Sequence, residues 1–347
     1  MNSSISFALI GCGAISKFHA EAICALDGAQ LSGVYDPVFE SAQNMAARYQ
    51  VACYSSYEAL LNDPSVNAVS ICTPSGLHAQ QAIRAIEAGK HVLVEKPIAL
   101  NLEDCDQIIT LAREKKVLVS VVSQLRFSKE IQRVKEAVEN GLLGRIVSAD
   151  LYMKYHRPPS YYKQNPWRGT VSMDGGGALM NQGIHGVDLL RYLAGPLKSI
   201  FAQARTLVHS IEVEDTLSAV VEFSSGSLGV IQATTSLYPG FPRRLEIHGE
   251  LGSIILEEDT IALWTVAGEP EINLPKRSIS YEGHRDPTKI DPAGHIAQYQ
   301  NFISAIFGKE PLLVDAVEGR RTLEIIVKAY ESSRAEQIVY FDEEPEK

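Results

Sequence analysis

The run FALIGCGAIS, Phe7 to Ser16, sets four apolar residues directly before two glycines spaced one apart. A buried strand that must turn sharply at its end admits few folds. Gly11 allows the tight turn, and Gly13 lets the backbone approach a ligand with no Cβ in the way. Ala14 and Ile15 open a helix whose free N–H groups and positive dipole end suit a pyrophosphate. Ser16 stands where the G-x-G-x-x-G fingerprint has its third glycine, a departure that is still small enough for close helix–strand packing. Asp36 ends the strand LSGVYD twenty residues beyond Ser16. The fingerprint has an acid there, accepting hydrogen bonds from the adenosine ribose hydroxyls. As local structure alone, Asp36 would only start a turn before Pro37. Strand, glycine turn, helix, second strand and terminal acid together point to a dinucleotide.

The first 123 residues repeat this strand–helix grammar. Apolar runs at Phe7–Ile10, Gln30–Tyr35, Ala68–Cys72, His91–Val94 and Val117–Val122 alternate with helical stretches such as Phe39–Tyr49, Leu77–Ala88 and Leu102–Lys115. Strands apolar throughout belong to a parallel sheet covered on both faces. After Ser123 one helix, Lys129–Asn140, leads into six strand-like segments between Arg145 and Leu256, and helices return at Gly294–Phe307 and Val314–Glu336. In Asp215–Phe223 the residues Leu217, Ala219, Val221 and Phe223 share one face, while Thr216, Ser218, Val220 and Glu222 share the other. That sheet packs one face on a core. The expectation is an α/β dinucleotide domain over 1–123 and an α+β domain over 124–347 with a large open, mostly antiparallel sheet.

Charge and cysteine usage narrow the partners. A net charge of −10 opposes binding to nucleic acid or an anionic membrane. No segment reaches the roughly 18 uninterrupted apolar residues of a membrane span, and the N-terminus lacks the pattern of a secretory signal. The five cysteines, Cys12, Cys24, Cys53, Cys72 and Cys105, form no metal-binding spacing and read as buried, reduced thiols of a cytoplasmic protein. No metal is expected.

Four further runs carry a resemblance: CTPSGLHAQQAIRAIEAGKHVLVEKP (Cys72–Pro97), QLRF (Gln124–Phe127), WRG (Trp167–Gly169) and DGGGALMNQGIHGVDLL (Asp174–Leu190). With the C-terminal HIAQYQNFISAI (His295–Ile306), they resemble the Gfo/Idh/MocA family, named for glucose–fructose oxidoreductase, inositol dehydrogenase and a rhizopine-catabolism protein. The resemblance implies a Rossmann domain followed by an α+β domain, an active site in the cleft between them, and hydride transfer between a nicotinamide and a carbohydrate-like alcohol or ketone. By position, Lys96 resembles the family's catalytic lysine and His185 its catalytic histidine. Thr73, Pro74, His78, Glu95, Lys96 and Gln124 resemble positions lining the cofactor. The chemistry agrees. A histidine exchanges a proton near neutral pH, and a partly desolvated lysine polarises the reacting oxygen. His19, outside these runs, reads as a packing or capping residue of the first helix.

One position departs from the family. Many members carry an aspartate four residues before the histidine, whereas MNQGIH places Asn181 there, a neutral amide that cannot take a proton. Similar MNQ runs occur in the nucleotide-sugar branch. Arg126, Trp167 and Arg168, with Asn181 and His185, are the expected substrate contacts, since aromatic faces stack on sugar rings and guanidinium groups grip carboxylate or phosphate. Asp36 with no arginine before Arg48 favours NAD over NADP. An NADPH-dependent ketoreductase is the alternative, and a dinucleotide-binding regulator a more distant one, since a sensor needs no acid–base pair. The resemblance also implies that the open sheet face is buried against a second subunit, giving a homodimer or homotetramer.

Overall fold

The structure, a computed structural model, describes residues 4–270 and 292–342. The chain forms two compact units, Met1–Gln124 with Asp291–Leu323, and Leu125–Ile290 with Glu324–Lys347. This differs from a single cut after Ser123, because the segment from 291 to 323 returns to the first unit.

In the first unit the strands are β1 (Ile5–Ile10), β2 (Ala29–Tyr35), β3 (Ala52–Cys53), β4 (Ala68–Ile71), β5 (His91–Val94) and β6 (Val119–Val121). They pair in parallel in the order β3-β2-β1-β4-β5-β6, that of a doubly wound dinucleotide-binding sheet. Helices α1 (Ser16–Cys24), α2 (Phe39–Tyr49), α3 (Tyr57–Leu61), α4 (His78–Glu87) and α5 (Leu102–Lys115) connect them. Phe7, Ala8, Leu9 and Ile10 are wholly buried, which is why the run is apolar without alternation. The Asn101 side chain caps α5 by accepting from Asp104 N at 2.8 Å.

The returning helix α9 (Ala293–Ile306) completes this core. Tyr299 meets the ring of Phe7 edge-on at 5.4 Å, with Phe302 beside it at 6.2 Å. The Gln298 amide donates to Val121 O at 2.7 Å and accepts from Ser123 N at 3.1 Å, closing the open end of β6. Helical periodicity shows that α9 has an apolar face but not which sheet it covers.

The second unit holds α6 (Lys129–Glu139), β7 (Ile146–Lys154), α7 (Pro159–Lys163), α8 (Ile184–Ala194), β8 (Leu197–Arg205), β9 (Thr216–Phe223), β10 (Leu228–Thr234), β11 (Arg244–Gly249), β12 (Gly252–Glu257), β13 (Thr260–Val266) and β14 (Val339–Tyr340). Helix α10 (Ala316–Ala335) begins in the first unit and ends in the second. The strands form one eight-stranded sheet, β13-β12-β11-β7-β10-β9-β8-β14, antiparallel except for the pair β7–β10. Leu217, Ala219, Val221 and Phe223 are buried while Ser218 and Val220 are exposed, as the period-two alternation requires. Ser224–Ser227 makes the β9–β10 turn, with Phe223 N donating to Ser227 O at 2.9 Å.

All five cysteines are free, but only Cys72 and Cys105 are buried as expected; Cys12 and Cys53 are half-buried, and Cys24 on α1 is exposed. Among the described residues no helix is long and apolar enough to cross a membrane.

Candidate active site

In the first unit, the expected cofactor residues gather at the carboxyl ends of β1, β2, β4, β5 and β6. Gly11 has φ +93°, and a Cβ there would come within 2.8 Å of Cys72 O, so only glycine serves. Around Gly13 a Cβ would meet no protein atom within 4 Å, so internal packing does not require that glycine. Ala14 and Ile15 precede α1, whose first turn has no side-chain cap. Ser16 takes the third glycine's place by burying its hydroxyl, which donates to Gly13 O at 2.6 Å. Asp36 holds the turn from the side, accepting from Cys12 N at 2.7 Å through Oδ2 and from Val38 N at 2.8 Å through Oδ1.

Thr73 donates to Gln81 Oε1 at 2.6 Å, and Pro74 begins the short turn that leads into α4. His78 is buried, with Nε2 at 2.8 Å from Thr73 O and Nδ1 at 2.7 Å from Pro97 O. It ties the two sheet-end loops together, and burial lowers its pKa. Gln124 is also buried, and its Oε1 finds no partner among the described residues. An orphaned buried acceptor calls for an occupant. With the open approach at Gly13 and the uncapped α1 terminus, these residues fit a dinucleotide.

Lys96 is half-buried directly beyond β5. Glu95 beside it points into the unit: Oε2 accepts from Lys96 N at 3.1 Å and Oε1 meets His19 Nε2 at 2.9 Å. Burial would raise this carboxyl's pKa, but the His19 hydrogen bond and the charges of His19, Lys96 and His295 outweigh it and hold it at about 2. The chain continues from His19 Nδ1 to the Tyr299 hydroxyl at 2.8 Å and on to Ser70 Oγ at 2.5 Å. His295 lies edge-on to His19 at 5.4 Å, and burial pushes its pKa down to about 4. His19, Glu95 and His295 bring one ligand atom each within 4.8 Å of one another. Spacing in the sequence could not show this cluster, which draws on α1, the end of β5 and α9. His19 and Glu95 hydrogen-bond each other, while neither ring nitrogen of the buried His295 finds a hydrogen-bond partner among the described residues.

In the second unit Arg126 does not stand as an open substrate contact. It is 1% exposed, its Nε and Nη2 grip both oxygens of Asp188 at 2.9 and 2.6 Å, and it lies over the Tyr192 ring at 4.6 Å. A buried bidentate pair of this kind organises a fold. Trp167 is half-buried, with Arg168 over its ring at 5.6 Å and over Tyr161 at 4.1 Å. Arg168 Nη1 donates to Tyr161 O at 3.2 Å, and its Nε has no partner among the described residues.

Asn181 lies on a π-helical turn, Ala178–Gly183, that feeds α8, and His185 is the second residue of that helix, half-buried. The glycine triplet in front is shaped by an acid that sequence reading missed. Glu214 accepts from Gly177 N, Leu179 N and the Tyr330 hydroxyl, each at 2.8 Å. Burial raises its pKa despite these bonds. Asp174 is another such acid; it directly precedes the triplet, and that position was its only signal.

The model of the oxidoreductase family with an NAD-binding Rossmann fold matches residues 5–123, and that of the GFO/IDH/MocA C-terminal domain matches 131–255. A solved WlbA dehydrogenase from Bordetella pertussis, in complex with NADH and UDP-GlcNAcA, is 34% identical, with each chain covered to 99% and a TM-score of 0.89. Myo-inositol 2-dehydrogenase of Thermotoga maritima is 28% identical over 96% of this chain and 98% of its own. The NADP(+)-dependent scyllo-inositol 2-dehydrogenase IolW of Bacillus subtilis is 26% identical over 94% and 93%. Matched in both domains and related along its whole length to sugar dehydrogenases, the chain belongs to the Gfo/Idh/MocA family of NAD-binding oxidoreductases.

Proposed function

We propose that the protein oxidises a secondary alcohol on the sugar ring of a nucleotide-linked sugar acid, with NAD as the hydride acceptor. The observation that carries this reading is the whole-length likeness to a dehydrogenase solved with NADH and UDP-GlcNAcA. Residue chemistry supports it. Arg168, with an unsatisfied guanidinium nitrogen beside the Trp167 ring, suits a uronate or phosphate next to a sugar face.

Bound NAD supplies the carbon that receives the hydride. Gly11, Gly13, Ala14 and Ile15 would hold its pyrophosphate, Asp36 its adenosine ribose, and Thr73, Pro74 and Gln124 the remainder, with His78 and the inward-turned Glu95 bracing the loops. Lys96 donates a hydrogen bond to the reacting oxygen and stabilises its growing negative charge. His185 takes the hydroxyl proton in oxidation and returns it in reduction. Cytoplasmic residence and a homodimer or homotetramer complete the reading.

The test is direct. Purified protein with UDP-GlcNAcA and NAD is expected to form NADH, with UDP-GlcNAc, lacking the carboxylate, and free uronic acid as comparison substrates. NADH formation from myo-inositol alone would overturn the nucleotide-sugar assignment.

A further inference from the structure

Asn181 leaves the second unit without an acid four residues before His185, yet a buried carboxylate stands one hydrogen bond away. Asp174 is 2% exposed; its Oδ2 accepts from Gly169 N at 2.8 Å and its Oδ1 accepts from Asn181 Nδ2. Asn181 Oδ1 accepts from Gln182 Nε2 at 2.8 Å, and Gln182 Oε1 accepts from Arg157 Nη2 at 2.6 Å. Arg157, like Asp174, is almost wholly buried, at 1% exposure. Gln182 Nε2 donates its other hydrogen to the Tyr161 hydroxyl at 3.0 Å.

The polarity of this chain is fixed by its ends. A carboxylate only accepts and a guanidinium only donates, so each of the two amides has one orientation, with its NH₂ toward Asp174. Two amide dipoles are thus aligned head to tail between a buried negative and a buried positive charge, where each hydrogen bond strengthens the next. The tyrosines 161 and 162 feel the charge of Asp174, and Arg168 and Arg157 face Tyr161. Asn181 and Gln182 both sit on the π-helical turn that starts α8.

We propose that Asp174 supplies the carboxylate that the second unit lacks at position 181 and acts through Asn181 as a positioning residue for the turn that leads into the helix carrying His185. The neutral amide at position 181 is then a matched link and not a lost acid. An acid there would set carboxylate against carboxylate and remove the hydrogen that Asp174 Oδ1 receives. The proposal rests on the role given to His185 above.

The test is a donor–acceptor exchange. Asn181→Asp, Asp174→Asn and the two together are compared with wild type for kcat, KM, NADH affinity and Tm. Each single change is expected to lower kcat about tenfold or more, with NADH affinity within about twofold. The double change reverses donor and acceptor across the same hydrogen bond and is expected to bring kcat back to within about threefold of wild type. In Asn181→Asp alone, kcat falls further as the pH is raised from about 6 to about 9, because two carboxyls that share a proton repel once it is lost. Should that variant not fold, Asn181→Ala, which removes the hydrogen that Asp174 Oδ1 receives without adding charge, is expected to show the same split between kcat and NADH affinity.

Recovery of Tm without recovery of kcat in the double variant assigns Asp174 a structural role only and overturns the proposal. So does an Asn181→Asp enzyme with wild-type kcat and an unshifted pH profile. A wild-type protein that turns over no sugar overturns the functional reading itself, and this inference with it.

Discussion

The Lys96 backbone is anchored independently of its side chain, whereas the Asp36 carboxylate is itself a tether of the glycine turn. The Lys96 main-chain N–H is fixed on Glu95 whatever its side chain does. Lys96→Met and His185→Ala are therefore expected to lower kcat by about two to four decades while NAD still binds, measured by stopped-flow turnover and by titration. Turnover within a factor of a few of wild type in a folded variant would remove that residue from the chemistry. Asp36 makes a different prediction. Both of its oxygens are tethered by backbone N–H groups, so the carboxylate cannot swing aside for a 2′-phosphate. A like charge at about 4 Å costs roughly 4 kcal/mol at an effective dielectric of about 20. Even a third of that gives about tenfold preference for NAD over NADP, read by titrating the purified protein with each. Equal affinities would show that the pocket accommodates the phosphate elsewhere.

The elements of the first unit were legible because β1, β4 and β5 are buried on both faces and must be apolar along their length, while the second sheet betrayed its single core face through alternation in β9. Short strands such as β3 gave no period to read. The Glu95 cluster was hidden for another reason: its members lie on α1, beyond β5 and on α9, and each looks ordinary in its own neighbourhood. That cluster governs the unit's response to acid. Glu95 is held at about 2 against an ordinary value of 4.5, so the unfolded chain binds the proton more readily and stability falls as pH drops from 4.5 toward 2. His295 is held near 4 against 6.5; its unfolded form again binds the proton first, and stability falls as pH drops from 6.5 toward 4. The two windows adjoin. Urea unfolding is expected to show stability declining steadily below about pH 6.5. In His295→Phe, which keeps the ring contact with Phe18, the decline should begin only below about pH 4.5. A variant that tracks wild type through the upper window would assign that slope to other groups. The glycine triplet offers a stability test of its own. A Cβ on Gly177 would overlap the carbonyl oxygen of Glu214, so Gly177→Ala is expected to cost at least about 3 kcal/mol in thermal unfolding.

At the scale of the whole molecule, the far face of the eight-stranded sheet is unusual for a surface. Phe201 pairs in register with Val220, both exposed, and Leu228 on β10 and Leu263 on β13 add to the same side. The polar centre of that face is a paired network: Arg244 reaches Glu246 at 2.5 Å and Glu257 at 2.9 Å, and His248 meets Glu246 at 3.0 Å. Apolar ends around a centre of internally paired charges suit a two-fold partner of the same kind. Light scattering at micromolar concentration is expected to give a mass of two or four times 38.0 kDa, and Val220→Lys to reduce it; a single-chain mass in the wild type would end the idea. The return of the segment from 291 to 323 has a consequence for how the chain comes into being. A ribosome delivers β1 through β6 early, but Phe7 waits for Tyr299 and Phe302, and Glu95 and His19 for the hydroxyl that continues their chain. Residues 125–290 of the second unit are thus spliced into the middle of the first, and the nucleotide half cannot finish folding until the segment from 291 to 323 has been synthesised. A fragment ending at Gln124 is expected to stay aggregation-prone until a peptide spanning 291–323 is supplied in trans.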